Sequence, residues 1–232
     1  MSFSNRASRN IFLASFGRVI PTSSSSGIAS KIFLIFLFKK IKKELRRILK
    51  ESNVFRVLDI ACGECYTLDI LKDIDPNLEL LATEHESAKE RVISKGYTFV
   101  DGEFFPILDN KVDLIIFTEA IEHINDVNNF LEHAYNLLNT GGIIYITTPN
   151  FSSIERIMMR SNWGMIKPPE HLSYFTPKTL NKVLGEGGFR KLSLKTENIS
   201  IFRVIEYFNT HILTKKNSKI KLKLSPQEAS DK

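Results

Sequence analysis

From residue 54 onward, apolar runs that favour strands alternate with amphipathic segments that favour helices. The strand-like runs are rich in β-branched residues and apolar on both faces. They read VFRVLDIA, LELLATE, YTFVD, VDLIIFTE and GGIIYITTP. Segments of helical periodicity, such as DVNNFLEHAYNLLNTGG, separate them. This alternation predicts an α/β domain whose mostly parallel sheet is covered by helices on both faces.

Capping residues mark the expected ends of several helices. Asp126 precedes a helical segment that Gly141 and Gly142 are expected to end. Thr176 and Pro177 predict the start of a later helix. Beyond it, FRKLSLKTE predicts a strand, and IFRVIEYFNTHIL fits either a strand or a helix. SKIKLKLS alternates like an edge strand, with a basic tail as the alternative.

The two ends of the chain differ from this regular part. Residues 1–30 are rich in Ser and Arg, lack acidic residues, and predict a flexible or a targeting segment. Residues 31–50 predict a basic amphipathic helix that either packs on the domain or attaches to a membrane surface. The predicted domain covers residues 51–213, and a basic edge strand or tail covers residues 214–232.

Basic charge is concentrated at the ends of the chain. The net charge is +6, yet residues 31–50 contain eight Lys or Arg and one acidic residue. Residues 214–232 contain six Lys and two acidic residues, so residues 51–213 are acidic overall. This distribution argues against sequence-specific nucleic-acid binding and favours peripheral membrane contact or solvated ends. Two cysteines cannot form a disulfide framework, so we expect a reducing compartment, the cytoplasm, with membrane association as an extension.

The candidate chemistry lies in VLDIACGEC, residues 57–65, where the first strand of the domain meets its first helix. Ligands bind parallel α/β sheets at this end, and the small residues Ala61, Cys62 and Gly63 let backbone N–H groups approach one. Glu84 ends the next strand, where an acid accepts hydrogen bonds from ribose hydroxyls. The pattern predicts a nucleotide-like cofactor. A redox-active Cys62-x-x-Cys65 pair is the alternative, whereas a structural zinc site lacks further cysteine ligands.

Three later segments make this pattern specific for a family. They read VDGEFFPILDNKVDLIIFTEAIEHI, LLNTGGIIYITTPN and WGMIKPPEHLSYFTPKTLNKVLGEGGF. With the turn and Glu84, they resemble class I S-adenosylmethionine (SAM)-dependent methyltransferases, in particular the branch with ubiquinone-biosynthesis O-methyltransferases and small-molecule and sugar methyltransferases. The resemblance covers about residues 54–197. It implies a Rossmann-like, seven-stranded, mostly parallel sheet and SAM as the cofactor.

The resemblance also implies a set of cofactor-binding residues, from the methionine part of SAM through ribose and adenine to the reaction pocket. These are Asp59, Ala61, Cys62 and Gly63 for methionine, Glu84 for ribose, Asp101 and Gly102 for adenine, and Thr118 and Glu119 for the pocket. The family's D-x-G-x-G-x-G loop has Ala61 and Cys65 here at its first and third glycines. Alanine is tolerable there if its φ is negative, so we expect a retained site of lower affinity.

Glu122, His123 and His171 are the candidate catalytic residues, since an oxygen acceptor must lose a proton to a base poised near neutral pH. In the ubiquinone-type enzymes that this chain resembles, Glu119, Glu122 and His123 would together hold a divalent cation. We assign no metal ligand from the sequence alone. The alternative for His123 is a structural anchor of the turn, and for His171 a cap. Trp163 lies in a segment that would suit a substrate lid.

These features predict a SAM-dependent methyltransferase that acts on a small molecule. The expected acceptor is a hydroxyl oxygen of a sugar, quinone-like or lipid-linked compound. The alternatives are a non-catalytic SAM-binding protein and a membrane-surface protein of the same fold. A nicotinamide dehydrogenase is disfavoured, because the chain lacks a G-x-G-x-x-G turn.

Overall fold

The computed structural model describes residues 9–15 and 28–196, with side chains described from residue 38 onward. Seven strands and six α-helices make up this part of the chain. In order they are β1 (Arg9–Ser15), α1 (Ile28–Glu51), β2 (Arg56–Asp59), α2 (Tyr66–Ile74), β3 (Glu79–Ala82), α3 (Lys89–Ser94), β4 (Thr98–Phe99), β5 (Val112–Thr118), α4 (Val127–Leu137), β6 (Leu138–Thr147), α5 (Ile154–Met159), α6 (Pro177–Glu186) and β7 (Phe189–Thr196).

The described residues fall into two compact units. The larger contains residues 9–15, 28–152 and 165–196, and therefore the whole sheet. The described part of the smaller unit is residues 153–164, which form α5 and a short 3-10 turn over Arg160–Asn162. The candidate site residues, from Asp59 to His171, all belong to the larger unit.

All strand pairings in the sheet are parallel, and the strand order is β4-β3-β2-β5-β6-β1-β7. From β2 the chain moves outward to β3 and β4, then returns to place β5 on the other side of β2. The order thus reverses between β2 and β5, and in open α/β sheets ligands bind at the carboxyl ends of the strands at such a point. The sheet topology alone locates the candidate site.

Hydrophobic side chains cover both faces of the sheet, as their alternation along β5 shows. Leu114 and Ile116 belong to the cluster that α1 and α2 complete, whereas Ile115 and Phe117 belong to the cluster that α4 and α6 complete. All four side chains are fully buried. Successive side chains of a strand point to opposite faces, so a strand apolar on both sides requires helices above and below it. The predicted α/β class and mostly parallel sheet are confirmed.

Two of the predicted helix starts are confirmed, and one predicted helix end is wrong. The Asp126 carboxylate accepts a hydrogen bond from the backbone N–H of Asn129, and Thr176 forms a capping box with Thr179. However, α4 ends at Leu137, and the glycines expected to end it, Gly141 and Gly142, lie inside β6. The chain passes directly from helix to strand at Leu138, which is fully buried. Burial of this residue outweighs the glycine stop signal.

The strand membership of the sheet also differs from the prediction. β1 lies between β6 and β7, although the composition of residues 1–30 predicted a flexible segment without a strand. The apolar run IFLA within RNIFLAS is short, and the surrounding Ser and Arg favour a flexible segment by composition. The predicted strand FRKLSLKTE is β7. The segments IFRVIEYFNTHIL and SKIKLKLS, like PTSSSSG, lie outside the described residues.

Helix α1 contains the predicted basic amphipathic segment and contributes to the core. Ile41, Leu45 and Ile48 recur at helical spacing and are buried in the cluster with α2. Glu44 is buried beside them and pairs with Lys195 of β7. No helix in the described part of the chain has the length and apolar character needed to cross a bilayer. Attachment of α1 to a membrane surface stays a prediction.

Candidate active site

The turn after β2 is built from left-handed residues. Ala61, Gly63 and Cys65 have φ values of 54°, 55° and 61°. Only glycine adopts this region freely, and each L-residue there costs about 1–2 kcal/mol. The condition under which Ala61 would be a neutral replacement, a negative φ, is therefore not met. The backbone of the turn keeps a conformation that favours glycine, and this conformation is strained at Ala61 and Cys65.

Glu84 and Gly63 come together at the mouth of this turn. The backbone N–H of Gly63 donates a hydrogen bond of 2.7 Å to Glu84 Oε2. A carboxylate can accept about four hydrogen bonds, so this contact orients Glu84 and leaves capacity for further donors. A Cβ added at Gly63 would meet no atom within 4 Å. The turn thus has open space beside its central residue.

Thr83 connects the turn to the two neighbouring strand ends, a role that the sequence analysis missed. Its Oγ1 accepts a hydrogen bond from the Ala61 N–H at 3.2 Å and donates one to the backbone oxygen of Glu103. Its own backbone oxygen accepts the Cys62 N–H at 2.9 Å. The available signal was a polar residue at the end of an otherwise apolar strand. Thr83 is fully buried, and it fixes the turn relative to β3.

Asp59, the last residue of β2, is a fully buried carboxyl group. Neither of its oxygens has a hydrogen-bond partner among the residues that the structure describes. Burial raises its pKa well above the usual value, and the negative charges of Cys65 and Glu84 raise it further. An unpaired buried carboxylate is costly, and a cationic group beside it would remove much of that cost. The ammonium group of an amino-acid-like ligand has the required charge.

Asp101 and Gly102 lie in the loop after β4, the strand that pairs with β3. The Asp101 side chain is 79% exposed and lies 3.5 Å from Lys89 Nζ. Gly102 has a φ of 103°, and a Cβ there would lie 2.8 Å from the Phe105 carbonyl oxygen. Glycine is therefore required at position 102 by both conformation and space. The adenine-binding role of the two residues stays a prediction.

Thr118 and Glu119 mark the carboxyl end of β5. Thr118 pairs with Thr147 of β6, and the Glu119 N–H donates to the Thr147 carbonyl oxygen at 2.9 Å. Glu119 then turns away in the left-handed region, with a φ of 52°. This turn leads directly into a short 3-10 helix over Ile121–His123. It places Glu122 and His123 just beyond the strand end.

Glu122, His123 and His171 form a compact group of potential ligands or bases. Their ligand atoms lie within 4.8 Å of one another, and Glu122 and His171 are buried. Thr148 donates a hydrogen bond of 2.9 Å to Glu122 Oε2. The resemblance to ubiquinone-type enzymes implies Glu119, Glu122 and His123 as the residues that would hold a cation, although the sequence alone assigns no metal ligand. In the structure the converging set contains His171 in place of Glu119, because the loop before α6 returns to Glu122.

Backbone hydrogen bonds hold that loop in place. The carbonyl oxygen of Glu122 accepts the N–H groups of Leu172 at 2.8 Å and Ser173 at 3.1 Å. His123 Nδ1 lies 2.7 Å from the carbonyl oxygen of Glu170. A carbonyl oxygen only accepts, so Nδ1 carries the proton and Nε2 of neutral His123 keeps a lone pair. That nitrogen can bind a metal ion or accept a proton.

Cys62 and Cys65 face each other across the turn. Their sulfur atoms lie 3.5 Å apart, and both cysteines are free and buried. The Cys65 N–H donates to the Cys62 carbonyl oxygen at 2.9 Å, which closes a four-residue turn. From the sequence alone, a redox-active pair is an alternative to a cofactor turn. The structure shows that both features occupy the same residues.

Together these features suit a nucleoside cofactor that carries an amino acid. Asp59 offers an unpaired carboxylate, Gly63 offers open space, and Glu84 offers acceptors for hydroxyl groups. They define the class as an α/β protein that binds such a cofactor at the switch point of a parallel sheet. The family model described as a methyltransferase domain matches residues 33–194, and the chain belongs to this family, the class I SAM-dependent methyltransferases. SAM is its cofactor.

Relatives and solved structures agree with this family. The malonyl-[acyl-carrier protein] O-methyltransferase of Hamiltonella defensa is 25% identical over 176 residues, which cover 72% of this chain and 66% of the relative. The ubiquinone biosynthesis O-methyltransferase of a Chelativorans species is 28% identical over 111 residues, 45% of this chain and 44% of the relative. The chain thus spans between about half and two thirds of the length of such relatives. A SAM-dependent methyltransferase from Archaeoglobus fulgidus shares the fold, with a TM-score of 0.52, 22% identity, and coverage of 66% of this chain and 69% of that one.

Proposed function

We propose that the protein transfers the methyl group of SAM to a hydroxyl oxygen of a small molecule. The observation that carries this proposal is the group formed by Glu122, His123 and His171 just beyond the end of β5. The sulfonium of SAM already activates the methyl group, so the protein must position the acceptor and remove its proton. A largely buried group with two imidazoles and a carboxylate suits the second task.

His123 is the proposed proton acceptor. The hydrogen bond of Nδ1 with the Glu170 carbonyl oxygen holds the ring in one tautomer. The lone pair of Nε2 is therefore left to accept a proton. His171 packs edge to face on this ring, with the centroids 4.8 Å apart. Protonation of Nε2 during the reaction would place a positive charge near Glu122, which stabilises it. Glu122 and His171 are therefore the positioning partners of the base.

A divalent cation would acidify the acceptor hydroxyl at the same place. Two imidazole nitrogens and one carboxylate oxygen suit a transition-metal ion such as Zn²⁺ or Mn²⁺ better than Mg²⁺, which prefers oxygen ligands. Three protein ligands leave an open position, as in catalytic metal sites. Loss of turnover after treatment with a chelator, and its recovery when Mn²⁺ or Zn²⁺ is added, would support this version of the mechanism.

Two substitutions separate cofactor binding from methyl transfer. We expect Glu84→Gln to weaken S-adenosylhomocysteine binding by about 10- to 150-fold, because it removes a charged hydrogen-bond acceptor worth about 1.5–3 kcal/mol. Its matched control is Glu79→Gln, at the opposite end of β3, which should leave the affinity unchanged. We expect His123→Gln to keep the affinity and to lower methyl transfer by about 10²- to 10⁴-fold.

The measurements are isothermal titration with S-adenosylhomocysteine and transfer of labelled methyl from SAM to the catechol 3,4-dihydroxybenzoate. Binding without turnover on any hydroxyl compound, in the wild type and in His123→Gln alike, would favour a non-catalytic SAM-binding protein. Methylation that survives His123→Gln unchanged would contradict the assigned base. An additional C-terminal edge strand, the end of the domain at residue 213 and a cytoplasmic location belong to the same proposal. At its other end the domain includes α1, because Ile41, Leu45 and Ile48 lie in its core.

A further inference from the structure

The Cys62–Cys65 pair has a geometry that the methyl-transfer reaction does not use. A hydrogen bond between residues i+3 and i closes a turn whose end Cα atoms lie within about 7 Å. Disulfides form between residues whose Cα atoms are about 4.4–6.8 Å apart. The sulfur atoms are already 3.5 Å apart, and a disulfide needs about 2.0 Å. The two sulfur atoms would therefore need to approach each other by about 1.5 Å.

The surroundings favour the thiolate that such a reaction needs. The hydrogen bond from the Cys62 thiol lowers the pKa of Cys65, and the positive charges of Lys95 and Arg91 contribute in the same direction. Both cations are fixed to the turn, since Arg91 donates to the Gly63 carbonyl oxygen at 3.0 Å and Lys95 to that of Glu64 at 2.7 Å. Cys65 also precedes α2, whose N-terminus favours a negative charge.

We propose that Cys62 and Cys65 form a reversible disulfide and that this bond lowers the affinity of the turn for SAM. The oxidant class is a peroxide. A thiolate of the pair attacks one peroxide oxygen, giving a sulfenic acid and, with a proton, water. The second thiol displaces a second water molecule as the S–S bond forms. Two thiols and one hydrogen peroxide thus give one disulfide and two waters.

The disulfide would act on the cofactor through Gly63, which follows Cys62 in the turn. Gly63 is held at its N–H by Glu84 and at its carbonyl oxygen by Arg91. Cys65 is fully buried and precedes a packed helix, whereas Cys62 retains 8% exposure. The movement that closes the bond therefore falls on Cys62 and Gly63, and it displaces the N–H that orients Glu84. The effect on SAM rests on the proposed function, whereas the disulfide itself does not.

The test compares reduced, peroxide-treated and re-reduced full-length protein. We expect peroxide to remove two hydrogen atoms from the intact mass of the monomer, because the chain contains only two cysteines. The affinity for S-adenosylhomocysteine should fall by about tenfold or more and return after reduction. In Cys65→Ser and Cys62→Ser, peroxide should neither remove two hydrogens nor change the affinity that each variant has. Cys65→Ala replaces the serine variant if circular dichroism shows that the latter does not fold.

Each outcome decides one part of the proposal. Two thiols that remain open to alkylation after peroxide treatment would overturn the disulfide. A disulfide that leaves the affinity within twofold would overturn its control of the cofactor. Failure of the reduced protein to bind S-adenosylhomocysteine would contradict the proposed function and with it the control of the cofactor, and the mass measurement would then decide the disulfide alone.

Discussion

Two buried polar residues at adjacent strand ends differ in how their polar atoms are satisfied. Thr83 uses its hydroxyl as both donor and acceptor, so its burial connects the turn, β3 and the loop after β4 at little cost. Asp59 uses neither carboxylate oxygen within the described structure. An unsatisfied buried group in a native protein calls for an explanation. We attribute the unsatisfied carboxylate of Asp59 to its role as the partner of a positive charge on the cofactor.

Asp59 should make the cofactor-free protein less stable as the pH rises. Its pKa is raised in the folded state, so above the unfolded-state value of about 3.9 the folded protein binds more protons than the unfolded one. Stability then falls with pH until the folded group ionises. We expect the free energies of unfolding of the wild type and Asp59→Asn, measured in urea from pH 4 to pH 8, to diverge in favour of the variant.

The exposed Asp109 supplies the control for this measurement. Asp109→Asn should follow the wild type across the same range. Parallel curves for the wild type and Asp59→Asn would show that Asp59 finds a partner in solution and would remove the argument for a cationic ligand group beside it.

Gly102 should be far less tolerant of alanine than a glycine in a helix. Its positive φ and the 2.8 Å approach of a Cβ to the Phe105 carbonyl oxygen predict a loss of about 1–3 kcal/mol for Gly102→Ala. Gly185, in α6, has open space around it, and Gly185→Ala should gain up to about 1 kcal/mol. Thermal unfolding of the two variants checks both signs. Equal stability would mean that the loop after β4 rearranges freely.

At the level of single residues, position can be predicted from sequence where strand ends alone determine it. The approach of Glu84 to Gly63 follows from parallel strands that share a carboxyl edge, so sequence spacing was sufficient to predict it. His171 lies close to Glu122 because backbone hydrogen bonds hold the loop before α6 against Glu122. No pattern of side chains in the sequence encodes these bonds. The left-handed φ of Ala61 was equally hidden, because backbone shape here overrides the preference of the residue.

At the scale of elements, α1 is part of the domain core. Leu45 is fully buried, and we expect Leu45→Ala to cost about 2–5 kcal/mol in unfolding free energy, as for other buried leucines. The exposed Lys43, two positions away, is the control, and Lys43→Ala should change stability by less than about 0.5 kcal/mol. Urea unfolding of both variants measures the difference. A small effect at Leu45 would mean that α1 is detachable from the domain.

The predictability of the elements depended on their length and periodicity. Long amphipathic segments and buried strands, such as α1 and β5, were evident from sequence because many residues repeat the same signal. β1 has only seven residues, and its partners lie in distant parts of the chain. A short strand of this kind is determined by the edges it pairs with, which the local sequence does not contain.

At the scale of the whole molecule, the basic charge of α1 lies opposite its buried face. Lys39, Lys43 and Arg46 are exposed and recur with the same helical spacing as the buried residues of α1, about 200° around the helix from them. We propose that this face contacts anionic membrane surfaces. Each basic residue near such a surface contributes about 1 kcal/mol. Replacing all three by alanine should therefore reduce binding to phosphatidylserine-containing vesicles by about 100-fold.

Co-sedimentation with vesicles measures this binding, and vesicles of phosphatidylcholine alone provide the uncharged control. Binding of the wild type should also disappear in high salt, which screens exposed charges. Wild-type sedimentation that is independent of both the anionic lipid and the salt would contradict an electrostatic contact through α1.

The position of β1 has a consequence for biosynthesis. Asn10 pairs with Ile143 and Arg9 with Phe189, so the two neighbours of β1 are translated about 130 and 180 residues after it. A ribosome that adds about 5–20 residues per second needs about 10–35 s to cover the longer interval. Until β6 is made, the nascent strand has no sheet to join, and after it pairs with β6 its other edge stays open until β7 follows. The growing chain thus presents an unpaired β edge throughout this interval, which is where chaperones or aggregation would act on this protein.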